Sequence, residues 1–281
     1  MHVMPPLTTL RQQWTTEGYI LVRNLFTQAE VGPLREICEK VLQQCYRNDP
    51  PRPGDGDVVM RHLNRPDYHS EHPETLAALL ETAADPRILN IAREILGQEP
   101  EHRCFSLFMN PREIGRDGNW HRDTQFRPDY DEAAERERIL GTPQESGIQL
   151  QLPLVPSDDA EYVPRSHLRW DTAQEYAIRL QDKQAHNQSN DMPGAIRTEL
   201  QPGDVVAFNP KGLHRGRYHC EKLRRTLMLT YVQSSRAVLP DVFNNQPWFM
   251  EPGYLDGLSP QAVSFYERFV EKYRETWAEK D

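Results

Sequence analysis

Short runs of strand-forming residues, each bounded by turn residues, recur through the second half of the chain. They cover residues 104–109, 148–154, 204–208 and 226–232. Runs of this length and composition predict β-strands, and segments with helical spacing of apolar residues lie towards both ends of the chain. The pattern predicts a mainly β fold with flanking helices, built on a double-stranded β-helix (jelly-roll, cupin-like) core.

The chain has 281 residues, which is enough for one large domain with a substantial core. We predict a single domain over 1–281. Its helical and strand cover runs to about residue 100, the jelly-roll core spans about 101–235, and a helical extension spans about 236–281. A loop rich in Pro, Gly and Asp at 48–57 interrupts the cover.

The charge balance restricts the kind of partner. There are 33 basic and 42 acidic residues, a net charge of −9, which argues against a general binder of nucleic-acid backbones or anionic membranes. No apolar run is long enough to span a membrane, and the N-terminus does not resemble a signal peptide. Four cysteines without a CxxC pair favour a reduced protein. We therefore expect a cytoplasmic monomer or homodimer that acts on a small molecule.

The triplet His121-Arg122-Asp123 carries the first chemical signal. On an extended strand, alternate side chains share a face, so His121 and Asp123 would project together while Arg122 points away. A carboxylate and two imidazoles form the facial triad of non-haem Fe(II) oxygenases. The third ligand is predicted to be His214, which follows the strand 204–208, and the competitor His219 would face the opposite side of a strand.

Four blocks of the sequence resemble the phytanoyl-CoA dioxygenase family of Fe(II)- and 2-oxoglutarate-dependent oxygenases. The resemblance runs from about Trp14 to Val232. It is carried by Trp120-His121-Arg122-Asp123, by Val163-Pro164-Arg165-Ser166-His167, by Pro202-Gly203-Asp204 leading to His214, and by Arg225.

This resemblance implies both the cofactors and the reaction. His121, Asp123 and His214 would bind Fe(II), with 2-oxoglutarate and O2 at the remaining positions of the metal. Arg225, eleven positions after His214, would pair with the far carboxylate of 2-oxoglutarate. Oxidation of a substrate C–H bond would accompany conversion of 2-oxoglutarate to succinate and CO2.

Several neighbouring residues have two interpretations each. Arg224 competes with Arg225, and the family spacing selects Arg225 and assigns Arg224 to solvent. Gln149 and Gln151 form the polar side of the strand 148–154, which would either line the barrel and contact the cosubstrate or face solvent. The charged segment 129–139 is predicted to be helical, with either an ordinary solvated face or the role of a lid over substrate.

The histidines outside the triad are interpreted as structural. His167 lies in a turn where a histidine more often bonds to backbone groups. His62, His69 and His72 are predicted to belong to an ordinary polar loop rather than to a second metal site.

The outcome of the oxidation is predicted to be hydroxylation. Desaturation, ring formation and oxidative dealkylation remain alternatives, whereas halogenation is disfavoured because Asp123 keeps its carboxylate. A cupin-like metal enzyme that does not use 2-oxoglutarate and a non-catalytic jelly-roll binding module are alternatives from other classes.

The substrate is expected to be a small polar, anionic metabolite or natural-product intermediate. Arg122 and Arg165 are candidate substrate-binding residues, and Arg165 stands where the family typically has Gly. Other arginines lie near the same blocks, at Arg169, Arg215 and Arg217. The alternative for these arginines is that they form outward-facing ion pairs.

Overall fold

The computed structural model describes residues 7–50, 58–111, 113–126, 130–141, 147–238 and 241–278. Residue 129 of the predicted charged helix, most of the loop 48–57 and the last three residues of the chain lie outside these ranges. The helices are α1 (Leu7–Glu17), α2 (Gln28–Asn48), α3 (Glu74–Ala83), α4 (Pro86–Leu96), α5 (Glu132–Gly141), α6 (Ala173–Arg179), α7 (Gln181–Gln184) and α8 (Pro260–Ala278). The strands are β1 (Tyr19–Val22), β2 (Val59–Arg61), β3 (Pro100–Met109), β4 (Arg116–Asp117), β5 (Gly147–Pro153), β6 (Ser157–Tyr162), β7 (Ile196–Leu200), β8 (Val205–Phe208), β9 (His214–Tyr218) and β10 (Arg225–Gln233).

The strands form two antiparallel sheets. The larger has the order β1-β8-β5-β10-β3-β2 and the smaller has the order β4-β9-β6-β7. Helices flank the sheets, as the prediction of a jelly-roll core with outer helices requires, and this fold class is confirmed.

The larger sheet has one apolar face and one mixed face. Leu150 and Leu152 of β5 lie beside Leu227 and Leu229 of β10, and all four belong to the main hydrophobic core that the helices cover. Burying a leucine side chain contributes about 1.5–3 kcal/mol, so this alternation fixes which face meets the helices. The opposite face, which looks towards the smaller sheet, carries the intervening residues, including Gln149.

Helix α4 illustrates how local sequence supports this packing. Asp85 caps its first turn by accepting a hydrogen bond from the Arg87 backbone, Pro86 opens the helix, and Gly97 ends it with a left-handed φ of 70°. Its inward side chains are fully apolar: Ile88, Leu89, Ile91, Ala92, Ile95 and Leu96. At the start of the described chain α1, β1 and α2 follow one another, and Thr27 forms a capping box with Glu30 at the start of α2.

The main hydrophobic core draws side chains from the cover, from the predicted jelly-roll core and from the C-terminal extension, for example Leu10, Leu227 and Phe265. The division of the chain at about residues 100 and 235 stays a prediction. All four cysteines are free thiols. No helix in the described residues combines the length and the apolar character needed to cross a membrane.

Candidate metal centre

Three side chains converge between the two sheets. The ligand atoms of His121, Asp123 and His214 all lie within 4.8 Å of one another. Asp123 Oδ1 is 3.6 Å from His121 Nε2 and 3.3 Å from His214 Nε2. The structure therefore brings together the three residues that the sequence predicted as a triad.

Backbone pairing brings the two ligand segments together. His121 and His214 exchange backbone hydrogen bonds of 3.0 Å in an isolated antiparallel bridge, and the Asp123 amide donates to the Pro210 carbonyl over 2.9 Å. The predicted local geometry was wrong, because Asp123 does not continue a strand but opens the 3₁₀ turn Asp123–Phe126. The chain turns after Arg122, and this turn, rather than strand alternation, directs Asp123 towards the two imidazoles.

Backbone carbonyls fix the tautomer of both imidazoles. His121 Nδ1 lies 2.7 Å from the Asn119 carbonyl, and His214 Nδ1 lies 2.9 Å from the Gly212 carbonyl. Since a carbonyl can only accept, each Nδ1 carries a proton and donates it, which leaves each Nε2 free to coordinate a metal. Burial, followed by the neighbouring His214, lowers the pKa of His121 to about 4, so this imidazole is neutral near pH 7.

Gln149 holds the carboxylate of the triad. Its Nε2 donates a short hydrogen bond to Asp123 Oδ2, the oxygen that does not face the imidazoles. Burial alone would raise the pKa of Asp123, but the hydrogen bonds and charges around it, from His214 first, lower the pKa below its usual value. Gln151, two residues along β5, is 6% exposed. Gln149 thus contacts a ligand residue, and neither glutamine is a solvent-facing side chain.

Arg225 does not point between the sheets, and this corrects the sequence prediction. Its guanidinium forms a bidentate ion pair with Glu39 of helix α2, at 2.8 and 3.1 Å, on the face where Leu227 meets the helices. Residues 225, 227 and 229 share that face because side chains alternate along β10. Arg225 is thus already engaged, on the wrong side of the sheet for a cosubstrate in the barrel.

Arg224 occupies the interior side instead, and the expectation that it faces solvent was wrong. It is 2% exposed, and its guanidinium lies 5.0 Å from the ring centre of Phe108 and 4.9 Å from that of Tyr218, so it spans the two sheets. Its Nε has no hydrogen-bond partner, although Asp159 Oδ2 lies 3.6 Å away. Thr226, on the same face, also has a buried hydroxyl without a hydrogen-bond partner.

Two aromatic rings flank the histidines and were not predicted as site residues. Phe126 lies 5.0 Å from the His121 ring and is 66% exposed, whereas Phe208 lies 4.9 Å from the His214 ring inside the barrel. Phe126 follows the triplet by three residues, so its proximity to the metal ligands was readable from the sequence. Phe208 could be found only by pairing β8 with β5, which sets it opposite Gln149.

The arginines proposed for substrate binding are all paired with carboxylates, which corrects both candidate assignments. Arg122 is fully buried against Asp171, and Arg165 lies in a left-handed turn with φ of 67° and binds Glu17. The remaining ion pairs are Arg169–Glu175, Arg215–Glu161 and Arg217–Asp117. Each of these five guanidiniums already has a carboxylate partner, so none of them offers an unpaired positive charge to an anionic substrate.

His167 and His69 bond to protein groups, in line with their structural interpretation. His167 is fully buried, with Nε2 3.3 Å from the Thr15 carbonyl. His69 bonds to Thr75 and to the Leu63 carbonyl.

Comparisons with known proteins identify the family of the chain. The sequence model of the phytanoyl-CoA dioxygenase family (PhyH) matches residues 14–226, well over half of the chain. Among curated proteins, no significant sequence match was found.

Several solved structures share the fold. EctD from S. alaskensis with 2-oxoglutarate and 5-hydroxyectoine is 19% identical, covers 90% of this chain and 88% of its own, and gives a TM-score of 0.60. The epimerase SnoN in complex with Fe3+, alpha ketoglutarate and nogalamycin RO is 17% identical, with coverage of 90% and 92% and a TM-score of 0.56. The carbocyclase SnoK from nogalamycin biosynthesis is 17% identical, with coverage of 87% and 91% and a TM-score of 0.58. These likenesses support the fold.

From the family match, and with the triad assembled in the structure, the chain belongs to the phytanoyl-CoA dioxygenase family and is an Fe(II)- and 2-oxoglutarate-dependent dioxygenase.

Proposed function

We propose that His121, Asp123 and His214 hold Fe(II) and that the enzyme oxidises a C–H bond of a small molecule bound beside His121. The donor set fits this metal, because two neutral imidazoles and one carboxylate form the facial triad and leave other positions open. When bound, Fe(II) with 2-oxoglutarate and O2 supplies the oxidant for C–H cleavage. The observation that carries the proposal is the convergence of the three ligand atoms within 4.8 Å.

The residues of the chain prepare this site in distinct ways. The Asn119 and Gly212 carbonyls orient the imidazoles, and Gln149 holds the outer oxygen of Asp123, so the ligands need little rearrangement to bind a metal. We assign the far carboxylate of 2-oxoglutarate to Arg224. Two buried groups support this assignment, because Arg224 Nε and Thr226 Oγ1 both lack a hydrogen-bond partner. The oxygens of a bound carboxylate would accept hydrogen bonds from both of them.

We propose hydroxylation as the outcome. Desaturation, ring formation and oxidative dealkylation use the same oxidant and depend on how the substrate is held. SnoN is named an epimerase and SnoK a carbocyclase, so proteins of this fold carry out other reactions as well. The carboxylate of Asp123 argues against halogenation.

We propose an uncharged, partly apolar substrate instead of the anionic one that the arginine content suggested. The five arginines considered for substrate binding are paired with carboxylates, and the exposed ring of Phe126 lies against His121. An aromatic face next to the reacting metal favours an apolar segment of the substrate at that point. The free cysteines support a reducing compartment, and we propose a cytoplasmic monomer or homodimer.

The test is reconstitution of the purified protein with Fe(II), 2-oxoglutarate and O2, with succinate as the product measured. Succinate is expected from the wild type and not from Asp123→Ala, and uncharged compounds are expected to accelerate its formation more than carboxylated ones. Tight binding of Zn or Mn without succinate would favour a cupin-like enzyme of another class. Absence of metal binding would favour a non-catalytic binding module.

A further inference from the structure

A chain of four buried charges lies directly beside the metal-ligand loop. We call it the buried circuit and define it as Arg122, Asp171, Arg179 and Glu135. The side chains of all four have 0% exposure, and two arginines and two carboxylates make the set neutral as a whole. Buried charges are expensive unless they are paired and fully hydrogen-bonded, so such a set demands an explanation.

Arg122 connects three segments of the chain. Its guanidinium donates to Asp171 Oδ1 at 2.7 Å, to the Ser166 carbonyl at 2.7 Å and to the Lys211 carbonyl at 2.5 Å. Lys211 lies on the segment that leads to His214. One side chain thus joins the two segments that carry the three metal ligands, and it does so with the planar fork that only arginine provides.

The other half of the circuit returns to the same loop. Asp171 Oδ2 accepts from Arg179 at 2.7 Å, and Arg179 pairs with Glu135 of helix α5 at 3.2 Å. Glu135 Oε1 then accepts from the Thr124 hydroxyl at 2.8 Å. The residues immediately before and after Asp123 are therefore tied to opposite ends of one buried circuit.

We propose that the buried circuit is a positioning device for the iron ligands, with Arg122 and Thr124 clamping Asp123 from either side and Glu135 fixing helix α5 to the metal-ligand loop. This inference rests on the proposed metal-binding role of the triad. The circuit includes the charged segment 129–139, which was predicted to be a helix with either a solvated face or the role of a lid. Its helix has a solvated outer face, and Glu135 and Ile139 on its inner face are fully buried.

The experiment measures binding of Co(II) or Fe(II) to the apo-protein without oxygen, together with the melting temperature of the apo-protein. Arg122→Lys keeps the charge but loses the fork, and Thr124→Val removes one hydroxyl and leaves every charge in place. Loss of outer contacts to metal ligands typically lowers affinity by roughly 10–100-fold. Arg122 and Thr124 hold the backbone on either side of Asp123 and do not contact a ligand side chain, so we expect a rise at the lower end of that range for Arg122→Lys and a smaller rise, of several-fold, for Thr124→Val.

Lys272→Met is the matched control. Lys272 pairs with the 5%-exposed carboxylate of Glu101 at 2.9 Å, and this pair joins α8 to β3 away from the triad. The control is expected to lower the melting temperature and leave the metal dissociation constant unchanged. A variant that acts only through general stability would behave in the same way.

The outcomes separate this inference from the proposed function. If Asp123→Ala binds metal as tightly as the wild type, the triad assignment fails. If Asp123→Ala loses the metal while Arg122→Lys and Thr124→Val bind it within twofold of the wild type, the positioning role alone is refuted. Should Arg122→Lys fail to fold, Thr124→Val decides, because it leaves the ion pairs intact.

Discussion

Exchanging Arg224 and Arg225 for methionine, one at a time, tests which of the two holds the cosubstrate. Hydrogen bonds to charged groups contribute about 1.5–3 kcal/mol, and each 1.4 kcal/mol is a factor of about ten in affinity. Arg224→Met should therefore raise the dissociation constant of 2-oxoglutarate by roughly 10- to 150-fold. Arg225→Met breaks the pair with Glu39, whose side chain is 33% exposed and can be hydrated. The Arg225 side chain is 11% exposed and also donates to Asn110, so the substitution should lower stability by about 1.5–3 kcal/mol and leave 2-oxoglutarate binding unchanged.

The assay is anaerobic titration of the Fe(II) protein with 2-oxoglutarate, followed by the visible charge-transfer band of the chelated keto acid. Succinate formation as a function of 2-oxoglutarate concentration gives an independent value. Melting temperatures of both variants identify any loss through unfolding, which is relevant for Arg224 because Asp159 is its buried neighbour. A weakened titration in Arg225→Met together with an unchanged one in Arg224→Met would refute the assignment by strand face.

Three further predictions follow from individual contacts. Gln149→Leu removes the hydrogen bond to Asp123 and should weaken Fe(II) binding by roughly 10–100-fold in a metal titration. The matched variant Gln151→Leu should leave Fe(II) binding unchanged. Equal effects of the two variants would contradict the role of Gln149 in holding Asp123. Burial lowers the pKa of His102 to about 3 from its ordinary 6.5. Below pH 6.5 the unfolded chain therefore binds a proton that the folded chain excludes, and stability falls with acidity by up to about 1.4 kcal/mol per pH unit. His102→Leu should reduce the difference in unfolding free energy between pH 7.5 and 5.5 by about that amount in urea titrations, and an unaltered difference would count against it. Arg165→Gly should raise the melting temperature and leave 2-oxoglutarate turnover unchanged. Glycine adopts a φ of 67° without strain, and the ion pair of Arg165 with Glu17, which the substitution removes, is exposed and contributes little. A lower melting temperature would show that the ion pair contributes more than the backbone strain costs.

The convergence of His121, Asp123 and His214 was predictable because its signals are local. His121 and Asp123 are two residues apart, and His214 follows a turn and a strand that the sequence marks clearly. The alternation of Gln149 and Gln151 with leucines likewise predicted a strand with one polar face, since side chains on a strand have a period of two. The reason given for the convergence of the triad was nevertheless wrong, because a turn at Asp123 rather than strand alternation directs its carboxylate.

The choice between Arg224 and Arg225 could not be made from spacing. Adjacent residues on a strand face opposite sides, so a difference of one residue in the preceding loop reverses the assignment. The pairing of β10 with β3 and β5 fixes the register, and this pairing joins residues more than seventy positions apart. The carboxylate partners of other arginines are also distant in the sequence. Arg165, for example, pairs with Glu17, which is 148 residues away.

The sequence by itself predicted the jelly-roll class and the three side chains that meet between the sheets, His121, Asp123 and His214, because both depend on residue type and short-range pattern. Only the tertiary structure decided which arginine faces the barrel, which charges are already neutralised, and that Arg122 belongs to a buried circuit rather than to a substrate pocket. These properties depend on which distant carboxylate lies opposite each guanidinium. The fold decides which carboxylate meets which guanidinium, and no short-range sequence pattern predicts this pairing.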